Sequence, residues 1–172
     1  MSNAELDSAI TDLNRTFGPS VYEAFDVAWI AVIKIANLLP GSSEHARLSK
    51  LLNRLPDESI RYILQLEQVD RLLNLEPPLE TILSFRHERL IAKRTAEELE
   101  VVRRHRDDNP KLALHKLADV LKRIRNRRAH GFKTPKGPRD SEILGSALWI
   151  LRLIGLSGAE ALGAKVNGLL HA

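Results

Sequence analysis

The stretch SVYEAFDVAWIAVIKIANLL, residues 20–39, decides the fold class of this 172-residue chain. Its apolar side chains recur at alternating steps of four and three residues, the spacing that places them on one face of an α-helix. More apolar residues lie beside this face and widen it, as expected for a helix at the centre of a bundle. The stripe consists of Val21, Phe25, Ala28, Val32, Ile35 and Leu39, widened by Trp29, Ile33 and Ala36.

Helical spacing extends outward from this stretch, and no clean run of alternating β-branched residues predicts a strand. Proline, glycine and capping residues divide the chain into helices. We therefore predict a single all-α domain over residues 1–172, an antiparallel helical bundle with N-terminal helices in 1–75 and further helices in 76–172. The predicted helices span about 4–16, 21–39, 43–55, 57–75, 79–105, 111–130 and 142–154, with Ser20, Ser42 or Ser43, Pro110 and Asp140 or Ser141 at helix starts.

The helix over 142–154 is apolar nearly all round, which predicts a buried helix. We predict that it packs antiparallel against the helix over 111–130, because connections of a few residues favour antiparallel neighbours. The side chains expected to be buried together are Leu117, Leu121, Ile124, Ala147, Leu148 and Leu151.

A second stretch, KRIRNRRAHGFKTPKGPR (residues 122–139), carries eight basic residues and no acid. The whole chain has 26 basic and 22 acidic residues, a net charge of +4. Without those eight, 26 − 8 = 18 basic residues face 22 acidic ones, a net charge of −4. The positive charge is therefore local, which predicts a site for an anionic partner.

The helix that enters this basic stretch changes character in its last turns. Its apolar seam runs through Leu114, Leu117, Leu121 and Ile124. Arg125 and Arg128 follow Leu121 and Ile124 at four residues, so each lies about 40° round the helix from an apolar side chain. Either the helix leaves the bundle there and its arginines face water, or the arginines form a site.

His130 lies near the end of the same helix, and Asn126 shares its face at four residues' distance. The helix C-terminus favours the charged imidazole by about 0.3–1 kcal/mol, whereas the surrounding arginines disfavour it. A histidine under such opposing influences near neutral pH is suited to acid–base chemistry.

The segment RNRRAHG, residues 125–131, resembles the signature of HEPN domains, in which an arginine and a polar residue precede a histidine at the end of a helix. Arg125, Asn126 and His130 occupy the motif positions. The resemblance is sharpest over residues 112–154. It implies a bundle of HEPN type and metal-independent RNA cleavage without a cofactor, in toxin–antitoxin, phage-defence or RNA-processing roles.

The resemblance also implies a role for each basic residue. His130 would act as acid or base on the ribose 2′-hydroxyl or on the leaving 5′-oxygen. Arg125 would neutralise the scissile phosphate and Asn126 would orient or polarise it. The residues that would hold flanking phosphates are Arg123, Arg127, Arg128, Lys133, Lys136 and Arg139.

Several classes of protein and site are disfavoured by the rest of the sequence. The chain has no cysteine, so disulfides and thiolate metal sites are excluded, and a reducing cytoplasm fits. No pair of histidines has a zinc-binding spacing, and we predict no metal site. We predict neither a signal peptide nor a membrane span. Glu97, Glu98 and Glu100 resemble ordinary surface charge on a long helix.

Three functional hypotheses stay open from the residues themselves. The first is an endoribonuclease that uses Arg125 and His130. The second is a noncatalytic nucleic-acid- or nucleotide-binding protein that uses only the basic stretch. The third is a protein-interaction bundle whose basic end meets an acidic partner. The family resemblance implies a homodimer, because two motifs usually face one cleft. It also implies a possible antitoxin protein as a partner, because many members act in toxin–antitoxin pairs.

Overall fold

Nine α-helices and no strand make up the part of the chain that the computed structural model describes, residues 3–14, 20–83, 89–129 and 138–166. The prediction of an all-α bundle is confirmed. In chain order the helices are α1 (Asn3–Asn14), α2 (Val21–Asn37), α3 (Glu44–Leu52), α4 (Asp57–Leu64), α5 (Glu67–Leu73), α6 (Leu79–Leu83), α7 (Arg89–His105), α8 (Pro110–Ala129) and α9 (Pro138–Ala161).

Helix α9 is the centre of the bundle. It packs most extensively on α2 and also contacts α1 and α5, and every residue from Ile150 to Ala159 is buried. By length and composition α9 could cross a membrane, but 83% of its most apolar window lies inside the structure. Its apolar character therefore matches its place in the core.

The predicted limits of this last helix, 142–154, were too narrow at both ends. Helix α9 begins at Pro138, since proline is well suited to a first helical position. It then continues through Gly155 and Gly158, where the sequence suggested an end. A Cβ atom at Gly155 would lie 2.6 Å from Cδ1 of Leu13, and one at Gly158 would lie 2.9 Å from Cδ1 of Leu51. These glycines therefore permit close helix packing rather than ending the helix.

We expect Gly155→Ala to lower the free energy of unfolding by up to about 2 kcal/mol. The added methyl group would meet the buried side chains of Leu13 and Val32, and overpacking of about 1–3 kcal/mol outweighs a gain in helix propensity of about 1 kcal/mol. Gly145→Ala, in the same helix, meets nothing within 4 Å and should raise stability by about 0.5–1 kcal/mol. Urea unfolding of both variants tests this, and equal stabilisation would disprove the close approach at Gly155.

The predicted single helix over 57–75 is two helices, α4 and α5, separated at Gln65 and Leu66. The apolar pattern gives the reason. Buried Ile60, Ile63 and Leu64 precede buried Val69, Leu72 and Leu73, and the five-residue step from 64 to 69 is out of phase with a continuous helical stripe. The break lets both groups face the core.

The predicted helix over 79–105 is also wrong as a single unit. Helix α6 packs against α7, which collinear parts of one straight helix could not do.

Other predicted boundaries agree well. Ser20 and Ser43 precede α2 and α3, the Ser43 side chain accepts a hydrogen bond from the Ala46 amide at 3.1 Å, and α8 begins at Pro110.

The six side chains predicted to be buried together on α8 and α9 are all buried in one core cluster. The predicted pairing of their helices is wrong, however. Helix α8 packs mainly against α7 and makes only a small contact with α9, whose principal neighbour is α2. The segment between α8 and α9, which was predicted to be a short connection, lies outside the described residues.

Candidate nucleic-acid interface

Helices α7 and α8 form an antiparallel hairpin that carries the predicted site. They are joined by residues 106–109, and the Asn109 side chain accepts a hydrogen bond from the Leu112 amide at 3.3 Å, which caps the start of α8. Ala113, Leu114 and Leu117 begin a buried seam on α8. The seam ends at Ile124, one residue before the motif arginine.

Arg123 is held by a carboxylate of the neighbouring helix. Its Nη2 and Nε donate to the two carboxylate oxygens of Glu98 at 2.7 and 2.8 Å. The side chain of Arg123 is only 23% exposed and that of Glu98 only 14%. The hydrogen bonds with Glu98 raise the pKa of Arg123. Arg123 therefore joins α8 to α7 in this structure, and its guanidinium is not available to a flanking phosphate without loss of that pair.

Glu98 corrects the sequence interpretation as well. It was expected to be ordinary surface charge beside Glu97 and Glu100, but it is mostly buried and paired. No local pattern on α7 distinguishes it. The signal is visible only when α7 and α8 are folded antiparallel about residues 106–109, which brings the long side chains of Glu98 and Arg123 within reach of each other.

Arg125 is half-buried at the level where the apolar seam ends. Its Nη1 donates to Oδ1 of Asn126 at 3.2 Å, so two of the three predicted catalytic residues are in contact. No carboxylate of the described residues forms a salt bridge with Arg125. Within the described part of the chain, its positive charge is thus held beside a neutral amide rather than a carboxylate.

Arg127 is half-buried too, and its Nη1 is enclosed with no hydrogen-bond partner among the described residues. Burial lowers the pKa of Arg127, and the negative charge of Asp140 opposes this effect. Asp140 lies in the first turn of α9, so the end of α8 and the start of α9 are close enough to interact electrostatically. A buried guanidinium nitrogen without an acceptor is costly, and an anion could satisfy it.

Arg139, in the first turn of α9, faces a different partner. Its Nη2 donates to the backbone carbonyl oxygen of Pro77 at 2.7 Å, while its Nε is enclosed and no described residue offers it a hydrogen bond. The residue therefore attaches the start of α9 to the segment before α6, and part of its predicted capacity for phosphate is already engaged.

The other predicted site residues fall at the edge of the description. His130, Lys133 and Lys136 lie outside the described residues, and Arg128 lies in the last turn of α8. The structure thus brings together Arg125 and Asn126 and places Arg127 near Asp140. Which residues His130 approaches stays a prediction.

Neither a candidate metal site among the described residues nor a similar known protein bears on this site. Among the described residues, no group of three or more histidine, aspartate and glutamate side chains could hold a metal ion. No family model, curated protein or solved structure matches the chain. The interpretation of the site therefore depends on its residues alone.

Proposed function

We propose that this protein is a metal-independent endoribonuclease that cleaves RNA through the ribose 2′-hydroxyl, with a site of HEPN type formed by Arg125, Asn126 and His130. The observation that carries the proposal is the contact between Arg125 and Asn126 at the end of the α8 seam. The half-buried guanidinium there has no carboxylate partner among the described residues. Arg125 can therefore bind a phosphate. His130 follows Asn126 by four residues in the sequence.

Partial burial makes this arginine well suited to the task. A charge pair near protein is stronger than one in bulk water, because the effective dielectric constant falls from about 80 to about 20. Guanidinium also presents its donors in a planar fork that can bind two phosphate oxygens at once. The contact with Asn126 holds the fork in place before substrate arrives.

In the proposed reaction His130 accepts the proton of the 2′-hydroxyl, and the 2′-oxygen attacks the adjacent phosphorus. The new bond between O2′ and phosphorus forms as the bond between phosphorus and O5′ breaks. The leaving 5′-oxygen takes up a proton from water, and His130 then returns its proton to the hydroxide that remains. The products are a 2′,3′-cyclic phosphate and a free 5′-hydroxyl. Arg125 stabilises the extra negative charge on the phosphoryl oxygens, so the step needs no metal ion.

The test is incubation of single-stranded RNA with the wild-type protein in excess EDTA. We expect cleavage, with 2′,3′-cyclic phosphate ends on the products. Strongly salt-dependent RNA binding without cleavage would instead favour the noncatalytic nucleic-acid-binding function. Neither binding nor cleavage would disprove both and leave an interaction bundle with an acidic protein partner.

We also propose a cytoplasmic homodimer, in which a two-fold axis brings two copies of the site into one cleft. A toxin or defence role with an antitoxin partner belongs to the same proposal. Light scattering at micromolar protein concentration should give twice the mass of the chain. A monomer with and without RNA would contradict the shared cleft.

A further inference from the structure

The first turns of α7 are less buried than the rest of the helix. The buried residues of this helix are Thr95, Leu99 and Val102, and none of the residues before Thr95 is fully buried. Leu90 is 58% exposed. One exposed apolar residue is ordinary on a protein surface, but Leu90 lies among basic residues that could bind an anionic ligand.

This part of α7 is also basic. Residues 89–96 contain Arg89, Lys93 and Arg94 and no acid, and all three bases are exposed. No salt bridge to Arg89 or Arg94 is formed within the described part of the chain. Lys93 lies 3.9 Å from Glu97, but both side chains are more than 60% exposed, so that pair is weak.

The geometry of the hairpin places these bases beside the proposed RNA site. Because α7 and α8 are antiparallel and Glu98 pairs with Arg123, each step back along α7 corresponds to a step forward along α8. Both helices rise about 1.5 Å per residue, and α7 ends at His105 where α8 begins at Pro110, so residues 89–94 lie beside the last turns of α8, at about residues 121–126. The start of α7 and the end of α8 therefore form two neighbouring walls of one positive surface.

We propose that Arg89, Lys93 and Arg94 bind phosphates of the same RNA that enters the α8 site, with Leu90 providing apolar contact to a base or ribose. This inference rests on the proposed function and adds a second helix to it. The sequence interpretation missed these residues because glutamates later in α7 balance their charge. The concentration of positive charge at the start of α7 becomes significant only when this helix is placed beside α8.

The experiment measures RNA affinity over a range of salt concentrations for the Arg89→Gln, Lys93→Gln, Arg94→Gln triple variant. Each lost phosphate contact on a single strand lowers the slope of log affinity against log salt by about 0.7. We therefore expect the slope to fall by about 2. The matched control is Lys50→Gln, Arg54→Gln, Arg104→Gln, which removes the same charge from exposed positions in α3, just after α3 and in the last turn of α7, and should change the slope little.

Circular dichroism and thermal unfolding establish that both triple variants remain folded. An unchanged slope in the α7 variant, with normal RNA binding by the wild type, would overturn the α7 surface and leave the proposed function standing. No RNA binding by the wild type would overturn both. Vesicles containing phosphatidylserine form a final arm, since wild-type binding to them but not to RNA would assign the basic, apolar start of α7 to a membrane surface instead.

Discussion

His130→Ala is expected to lower the rate of RNA cleavage in EDTA by roughly 10²–10⁴-fold, the usual contribution of a positioned general acid or base. RNA affinity should change little, because the other bases of the α8 end still hold phosphates. The measurement is single-turnover cleavage of a labelled single strand, with binding measured separately under conditions that prevent turnover.

Two comparisons make this result specific to His130. His45→Ala removes an exposed histidine from α3 and should cleave like the wild type. Lys136→Ala should mainly weaken binding and lower its salt slope by about 0.7, since one phosphate contact is lost. If His130→Ala cleaves as fast as the wild type, the assigned site is wrong.

Glu98→Ala is expected to lower the free energy of unfolding by about 1.5–3 kcal/mol, the range for hydrogen bonds to charged groups. The loss leaves the guanidinium of Arg123 mostly buried without its acceptor. Arg123→Ala should cost a similar amount, and the double variant should cost much less than the sum. A double-mutant cycle by urea unfolding measures this coupling.

The pair Glu67–Arg71 provides a matched control. Nε and Nη2 of Arg71 both donate to Oε1 of Glu67, at 3.2 and 2.8 Å. The side chains of Glu67 and Arg71 are, however, 71% and 51% exposed. Its coupling should be only about 0.3–0.5 kcal/mol. If the Glu98–Arg123 coupling is no larger, burial does not strengthen that pair and the α7–α8 hairpin is held by its apolar seam alone.

The candidate site was only partly predictable from the sequence. The basic stretch and the turn at which the α8 seam becomes arginine are local features, visible in residue spacing. The roles of individual arginines are not local. Arg123 pairs with a residue 25 positions away, Arg139 donates to a backbone carbonyl 62 positions away, and Arg127 interacts with Asp140. Residue spacing alone cannot distinguish an arginine that stabilises the fold from one that is free to bind an anion.

By itself the sequence determined the all-α class, most helix starts and the identity of the core side chains. These depend on helical periodicity, proline and capping groups, which act within a few residues. Only the tertiary structure decided that α9 continues through Gly155 and that α9 packs mainly on α2 rather than on α8. Each of these depends on the shape of a neighbouring surface: a glycine inside a helix is unfavourable in isolation, but here it lets Leu13 approach closely.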